Sequence, residues 1–201
     1  MFEKIKIETA KDVYEPAEDS CLLAKHAIKC RGRILEIGCG TGMVSLYCAA
    51  AHNQNDVEGV DINEKAVALA RKNAKANGIK NARFYVSDLF SKTKGKYDWI
   101  LFNAPYLPTE EYEKLKGKIN FAFDGGRTGR DVIEKFVSLA PAHLKAGGGV
   151  LLIASSLSGI SEICKKFAEN GFNAEIIDEE SFFFEKLCVI KACLFNISQS
   201  K

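Results

Sequence analysis

Four consecutive residues in the middle of the chain have the composition of a site that holds a planar nitrogen. They follow a run of β-forming residues and are Asn103, Ala104, Pro105 and Tyr106. The Asn103 side-chain oxygen and the Ala104 carbonyl could accept the two hydrogens of an amide or base amino group, which would direct the nitrogen lone pair towards an electrophile. Pro105 biases Ala104 towards an extended conformation, and Tyr106 offers a flat face. The tetrapeptide predicts catalysis by positioning, with a plain β-turn as the alternative.

A glycine-rich loop earlier in the chain has the composition of a cofactor-binding turn. It spans residues 36–42, has the sequence E-I-G-C-G-T-G and lies between a predicted strand and a predicted helix. Glycines allow a sharp turn and a close approach of the backbone to a ligand. The G-x-G-x-G spacing differs from the G-x-G-x-x-G of dinucleotide-binding proteins, and Glu36 suits a cationic ligand better than a pyrophosphate. A glycine turn without a ligand is the structural alternative.

Two carboxylates follow the next two predicted strands. Asp61 ends the second strand about twenty residues after the loop, where an ionised carboxylate can accept both hydroxyls of a ribose. Asp88 ends the third strand and could accept a hydrogen bond from an adenine amino group. Its position is equally consistent with a residue that only forms a turn. Parallel sheets bind ligands at the carboxyl ends of their strands, so these residues and the tetrapeptide are expected to meet there.

The framework that must position these residues is an alternation of strands and helices from residue 33 onward. The predicted strands are β-rich runs at residues 33–38, 56–62, 82–86, 97–102 and 149–154. The predicted helices have periodic apolar faces, formed by Val67, Ala70 and Ala74 between Asn63 and Gly78, by Val132, Phe136 and Leu139, and by Ile160, Ile163, Cys164 and Phe167 before Gly171.

The end of the chain breaks this alternation. Phe172–Ile177 and Leu187–Phe195 are two β-rich runs with no room for a crossover helix between them. They are expected to pair antiparallel, or through another strand, and to give a mostly parallel sheet an antiparallel edge. The predicted fold is a doubly wound, Rossmann-like α/β sandwich. It forms one domain over residues 1–201, with an N-terminal segment and helix in residues 1–32 and the core in residues 33–201.

The composition of the chain argues against a nucleic-acid-binding, metal-binding, secreted or membrane-spanning protein. The chain has 201 residues, a formal net charge of +2 and 47% hydrophobic residues, which fits one soluble domain without the basic excess of a nucleic-acid binder. The seven cysteines include no C-x-x-C pair, so we expect small buried hydrophobes and no metal site. The chain shows neither a signal-peptide pattern nor an apolar run of about 18 residues, which predicts a cytoplasmic protein without a membrane span.

These features together resemble the class I S-adenosylmethionine methyltransferases over nearly the whole chain. The E-I-G-C-G-T-G loop is close to the cofactor loop of that superfamily. The resemblance implies S-adenosyl-L-methionine as cofactor and a mostly parallel seven-stranded sheet with an antiparallel C-terminal strand. The implied cofactor contacts are Gly38, Gly40 and Gly42 for the amino acid part, Asp61 for the ribose, and Asp88 and Leu89 for the adenine, completed by Glu36, Thr41, Ile62 and Asn103.

The tetrapeptide resembles the N-P-P-Y motif of nitrogen-directed methyltransferases, with Ala104 where that family usually has proline. Its order after Y-E-P-A-E-D-S at residues 14–20, and before F-D-G-G-R-T-G at residues 123–129, resembles the HemK-like release-factor glutamine methyltransferases of the short archaeal and eukaryotic type. The implied substrate is the glutamine of a Gly-Gly-Gln loop in a translation termination factor. In this resemblance Tyr14, Pro16 and Glu18 close over the cofactor.

The same resemblance implies a partner. Bacterial members have an extra N-terminal helical domain that grips the release factor, whereas here the cofactor loop begins at residue 36. The short eukaryotic type works with a small zinc-binding activator subunit, and the resemblance implies one here.

Other functions share the tetrapeptide chemistry. An adenine-N6 methyltransferase acting on DNA or RNA would need basic loops or a recognition domain, and only Lys92, Lys94 and Lys96 form a small basic cluster. A protein lysine methyltransferase is a further alternative. A cofactor-binding subunit without catalysis is the alternative outside the enzymes, supported by Ala104 alone.

Overall fold

The computed structural model describes residues 5–109 and 122–195. A seven-stranded sheet with the order β3-β2-β1-β4-β5-β7-β6 forms its centre. The strands are β1 (Arg33–Ile37), β2 (Asp56–Asp61), β3 (Ala82–Val86), β4 (Tyr97–Asn103), β5 (Leu144–Ser155), β6 (Phe172–Ser181) and β7 (Lys186–Leu194). The helices are α1 (Glu18–Ala27), α2 (Met43–Ala51), α3 (Glu64–Ala76), α4 (Asp131–His143) and α5 (Ile160–Glu169), with a short 3₁₀ turn at Ser156–Ser158.

The doubly wound, mostly parallel sheet is confirmed. Strands β1 to β5 pair in parallel, whereas β7 pairs antiparallel with both β5 and β6. The predicted antiparallel edge is confirmed, and it consists of β7 next to β5 and of β6 as the outermost strand. The reason is burial: β7 is largely buried, and β6 is mostly exposed or half-buried and forms the edge.

Both faces of the central strands are covered, which explains their near-continuous apolar sequences. On one face Phe136 of α4 and Phe167 of α5 pack against β4 and β5. On the other face Leu23 of α1 and Val44 of α2 pack against β1 and β5. Because helices occupy both sides, the described residues form three layers around a continuous buried sheet.

Helix boundaries follow local chemistry. The Asn63 side chain accepts a hydrogen bond from the Lys65 N–H at 3.0 Å and caps α3, and Gly78 follows the helix with φ of 65°, as predicted. The predicted apolar face of α4 is wrong in part, because Leu139 is 40% exposed. The buried stripe is Ile133, Phe136, Val137 and Ala140, since this set has the i, i+3, i+4, i+7 spacing of a helix face.

Helix α1 is anchored to the far end of the sheet. Lys25 Nζ and His26 Nε2 both lie 2.7 Å from Oδ2 of Asp178 on β6. These hydrogen bonds lower the pKa of Asp178 to about 2. The last turn of the helix is thereby held to the edge strand β6, and its first turn lies towards the carboxyl ends of β1 and β4. Residues 1–4 and 196–201, the ends of the predicted domain, lie outside the described residues.

The seven cysteines differ in burial, and Cys164 and Cys193 are half-buried. Cys30, Cys39, Cys48 and Cys188 are buried, as predicted, whereas Cys21 is exposed on α1, contrary to that prediction. Across residues 5–109 and 122–195, the helices are all too short or too polar to cross a membrane.

Gly42, in the glycine-rich loop, and Gly78, after α3, offer a matched test of packing. Both have positive φ, but a Cβ at Gly42 would lie 2.9 Å from the Ala70 Cβ, and one at Gly78 would meet nothing within 4 Å. We expect Gly78→Ala to lower the free energy of unfolding by about 1–2 kcal/mol through backbone strain. Gly42→Ala should cost about 2–5 kcal/mol, because overpacking is added. Urea denaturation measures both, and equal losses would contradict the packing role of Gly42.

Candidate functional site

One cleft collects the loops that follow four parallel strands. It lies at the carboxyl ends of β1 to β4 and has a volume of about 450 Å³. Residues 38–41 after β1, 61–63 after β2, 87–89 after β3 and 103–107 after β4 line it. The strand order reverses between β1 and β4, and such a switch point leaves a crevice because the flanking loops diverge to opposite faces.

Asp61 holds the glycine loop in place. Its Oδ2 accepts the Gly40 N–H at 2.9 Å, and its Oδ1 accepts the Asn63 N–H at 2.8 Å. Gly38 and Gly40 have φ of 65° and 52°, a region that side chains with a Cβ rarely adopt. Burial raises the pKa of Asp61, and the backbone hydrogen bonds oppose that rise. The carboxylate faces the cleft while it fixes the turn.

Glu36 is buried at the base of the cleft. Its Oε2 accepts hydrogen bonds from the Ser45 N–H at 2.8 Å and from the Ser45 hydroxyl, so it caps the first turn of α2. Burial raises the pKa of Glu36 to about 8, although the Ser45 hydrogen bonds act in the opposite direction. The sequence predicted a partner for a cation here, and the structure shows a helix cap that also lines the cleft.

Asp88 and Leu89 form the outer wall after β3. Leu89 is buried with φ of 43°, an uncommon conformation for a branched residue that directs its side chain inward. The Asp88 carboxylate lies 3.5 Å from Lys135 Nζ at the rim. Both residues line the cleft, as does Ile62.

The tetrapeptide contributes a buried hydrogen-bond acceptor that has no donor among the described residues. Asn103 Oδ1 is buried and finds no hydrogen-bond partner within the part of the chain that the structure describes. On the same amide, Nδ2 lies 3.4 Å from Ser20 Oγ, which sets the orientation of the group. An unsatisfied buried acceptor costs about 1–3 kcal/mol, so such an atom in a cleft indicates a ligand that donates a hydrogen.

Asp19 links the N-terminal segment to the tetrapeptide. Its Oδ1 accepts from the Ser20 N–H at 2.5 Å and from Ser20 Oγ at 3.2 Å. Its Oδ2 accepts from the Tyr14 hydroxyl at 2.7 Å and the Tyr106 hydroxyl at 3.4 Å. Burial, reinforced by the Asp19 charge, raises the pKa of Tyr14 and of Tyr106 above the ordinary value for tyrosine. The buried carboxylate thus fixes two rings and, through Ser20, the Asn103 amide.

The structure brings most of the predicted site residues together. Those that line the cleft are Tyr14, Pro16, Glu36, Gly38, Gly40, Thr41, Asp61, Ile62, Asp88, Leu89, Asn103, Ala104, Pro105 and Tyr106. Glu18 is exposed outside the cleft lining, because its neighbour Asp19 occupies the inward position of the first turn of α1. Gly42 also lies outside the lining and packs against Ala70 of α3.

Sequence reasoning did not assign several residues that line the cleft, and among them are Asp19, Ser20 and Glu185. Asp19 and Ser20 stand in the same E-D-S segment as Glu18, but only the helix direction shows which of them face inward. Glu185 reaches the cleft from the β6–β7 turn, where its carboxylate accepts from Ser155 Oγ at 2.5 Å. No local pattern marks Glu185, because only the return of β7 beside β5 brings it there.

The sheet order, the glycine loop after β1, the carboxylate after β2 and the asparagine after β4 define a class I methyltransferase. The Methyltransferase small domain family matches residues 11–118, and the chain belongs to this family. It is 47% identical over 191 residues to a putative protein N5-glutamine methyltransferase of Methanocaldococcus jannaschii, covering 94% of this chain and 96% of that protein. This confirms the predicted resemblance to the HemK-like enzymes, and the chain is a methyltransferase.

A second relative agrees with this assignment, and a solved structure agrees with the fold. Methyltransferase HEMK2 of Mus musculus is 33% identical over 172 residues, which is 80% of each chain. Among solved structures, the E. cuniculi Mtq2–Trm112 complex, responsible for methylation of the eRF1 translation termination factor, matches with a TM-score of 0.70. That match has 23% identity and covers 92% of this chain and 99% of the other, so it supports the fold.

The buried Glu36 predicts a pH-dependent stability. Its pKa is about 8 in the folded chain against a usual 4.5, so between these values the unfolded chain releases a proton that the folded chain retains. Raising the pH through this range therefore favours unfolding. Relative to Glu36→Gln, the wild-type protein should lose up to about 1.4 kcal/mol of stability per pH unit. Urea denaturation of both proteins across this range measures the difference, and a constant difference would contradict the prediction.

Neighbouring carboxyl substitutions test the role of Asp19. Asp19→Asn replaces an acceptor of four hydrogen bonds by a group that can accept on one side only, and should lower the free energy of unfolding by about 1.5–3 kcal/mol. Glu18→Gln, which removes the same charge from the exposed neighbour, should cost about 0.5 kcal/mol or less. Chemical denaturation at neutral pH distinguishes them. Equal losses would mean that Asp19 contributes only helix-terminal charge.

Proposed function

We propose that this methyltransferase transfers a methyl group from S-adenosyl-L-methionine to the side-chain amide nitrogen of a glutamine in a translation termination factor. The observation that supports it most is the buried Asn103 Oδ1, which is oriented into the cleft and lacks a donor among the described residues. A primary amide supplies such a donor on a planar nitrogen. The relative named above as a putative protein N5-glutamine methyltransferase supports the same substrate class.

The cleft has the residues that such a cofactor requires. Gly38 and Gly40 leave backbone groups accessible for its amino acid part, and Asp61 would accept the ribose hydroxyls. Leu89 and Asp88 would contact the adenine from the wall after β3. The segment around residues 14–20 would cover the cofactor, since Tyr14, Pro16, Asp19 and Ser20 line the cleft. When bound, the cofactor supplies a methyl group activated on a sulfonium.

The residues around Asn103 would act by positioning. Asn103 Oδ1 and the Ala104 carbonyl would each accept one hydrogen of the substrate amide, which opposes its conjugation and exposes the nitrogen lone pair. The Tyr106 ring, held through its hydroxyl by Asp19, would support the amide plane. Fixing the acceptor nitrogen against the methyl group would account for most of the rate, because orientation removes a large entropic barrier.

An adenine amino group remains the second candidate, because it too offers two N–H groups on a planar nitrogen. The basic cluster that would favour nucleic acid, Lys92, Lys94 and Lys96, precedes β4. Lys94 and Lys96 lie towards the amino end of the sheet, away from the cleft, because the Lys94 carbonyl accepts from Arg33 at the start of β1 and Lys96 directly precedes β4. Lys92 alone lies nearer the cleft, where its N–H donates to Ser87 Oγ at 3.1 Å. This placement favours the protein substrate. A lysine side chain, whose nitrogen is tetrahedral, makes poorer use of two acceptors and a flat ring.

We further propose that a small zinc-binding subunit assists this chain. The support is the fold similarity to Mtq2, whose solved structure contains Trm112. Activity in the presence and absence of such a subunit tests this proposal directly.

The substrate assay uses labelled S-adenosylmethionine with a termination factor from the same organism, the same factor with the Gly-Gly-Gln glutamine replaced, duplex DNA, and total RNA. We expect label on the intact factor alone. Asn103→Ala should reduce the transfer at least about 100-fold, because the acceptor that orients the nitrogen is gone. The dissociation constant of the Asn103→Ala variant for the cofactor should stay within about threefold of the wild-type value.

Asp61→Ala is the matched control, since it should weaken cofactor binding, measured by calorimetry, while leaving the substrate acceptors in place. Full transfer by Asn103→Ala would refute the acceptor-pair mechanism. Label on nucleic acid alone would replace the protein substrate by the adenine alternative. Cofactor binding without any transfer, even with the small subunit added, would indicate a non-catalytic protein.

A further inference from the structure

The turn between β6 and β7 exposes three consecutive phenylalanines. We call Phe182, Phe183 and Phe184 the aromatic tip. Phe183 is 91% and Phe184 84% exposed, the largest values for bulky hydrophobic residues within the described ranges. Their rings contact each other edge to face, with centroids 4.5 Å apart. Exposed apolar clusters are costly in water, so this one indicates a binding surface.

The aromatic tip is held firmly beside the cleft. The Phe182 N–H donates to the Glu185 carbonyl at 2.7 Å, which closes the turn. Lys186 N–H donates to Ser156 Oγ at 3.0 Å, and Ser155 Oγ donates to the Glu185 carboxylate, so the base of the turn is tied to the end of β5. β6 runs in the same direction as β4 and β5. Its carboxyl end therefore lies at the same end of the sheet as Asn103, the last residue of β4.

Glu185 connects the aromatic tip to the part of the cleft wall that contains Tyr106. It lines the cleft next to Tyr106, and burial together with the charges of Asp19 and Glu185 raises the pKa of that tyrosine. The wall of the cleft therefore runs from Tyr106 to Glu185, and the aromatic tip, which directly precedes Glu185 in the chain, lies just outside it. A molecule that inserts a side chain as far as Asn103, and that has a body outside the cleft, must present that body to this wall.

We propose that the aromatic tip binds the body of the protein substrate, on the surface that flanks the inserted glutamine. This inference rests on the proposed function and adds the surface that selects a folded protein over a free amide. Phenylalanine side chains suit the role, because they offer about 150–250 Å² each at low entropic cost.

The size of the aromatic tip favours a transient substrate contact over a dimer. Phe183 and Phe184 together present roughly 300–500 Å², whereas a stable dimer buries about 800 Å² on each partner. Joined to the cleft that receives the glutamine, the same area is sufficient for an enzyme–substrate encounter.

The test is the steady-state methylation of the full-length termination factor by Phe183→Ser/Phe184→Ser, with the small subunit present where activity requires it. We expect the KM for the factor to rise at least about tenfold, because two apolar contacts are lost. The kcat and the cofactor dissociation constant should stay within about twofold, since neither side chain lines the cleft. Phe183→Tyr/Phe184→Tyr, which retains the aromatic area, should keep the KM near the wild-type value.

Phe195→Ser is the matched control, because Phe195 is 58% exposed at the opposite end of the same hairpin. It should leave the KM unchanged, and thermal denaturation should show all variants folded. An unchanged KM for the serine double variant would overturn the inference while leaving the proposed function intact. So would a loss of self-association on sedimentation without a change in KM. If the wild-type protein methylates only RNA, or no factor at all, both proposals fail together.

Discussion

The arrangement of the site depends on one buried carboxylate. Asp19, at the start of α1, accepts hydrogen bonds from Tyr14, Ser20 and Tyr106, which come from the N-terminal segment, α1 and the loop after β4. An ionised carboxylate is an acceptor at both oxygens, so it can hold several donors at once in a region shielded from water. Without it, the covering segment and the tetrapeptide would have no common anchor, and the Asn103 amide would have no fixed orientation.

The carboxyl ends of the parallel strands carry several groups that lower the stability of the folded chain. Asn103 Oδ1 is buried without a donor among the described residues, Glu36 has a raised pKa in the folded chain, and Leu89 adopts a positive φ. The opposing contribution comes from the apolar strands beneath, where β4 and β5 are covered on both faces. Preorganised sites commonly retain such strain, because an acceptor already bonded within its own protein gains less from a substrate donor.

Recognition and chemistry are distributed over one cleft and the turn beside it. The glycine-rich loop, Asp61, the tetrapeptide and Glu185 all line the same cleft, and the aromatic tip directly precedes Glu185 in the chain. The β6–β7 hairpin therefore has two roles that follow from its topology. Its buried strand β7 completes the core next to β5, and its turn reaches the sheet edge where the substrate must approach.

The sequence by itself determined the alternation of strands and helices, the loop at residues 36–42 and the tetrapeptide, because these depend on local periodicity and glycine spacing. Tertiary structure alone decided that Asp19 and not Glu18 faces inward, and that Ile133 and not Leu139 is buried on α4. It also brought Glu185 into the cleft and placed β7 between β5 and β6. These outcomes depend on contacts between segments far apart in the chain, since packing sets the rotation of each helix and the order of the last strands.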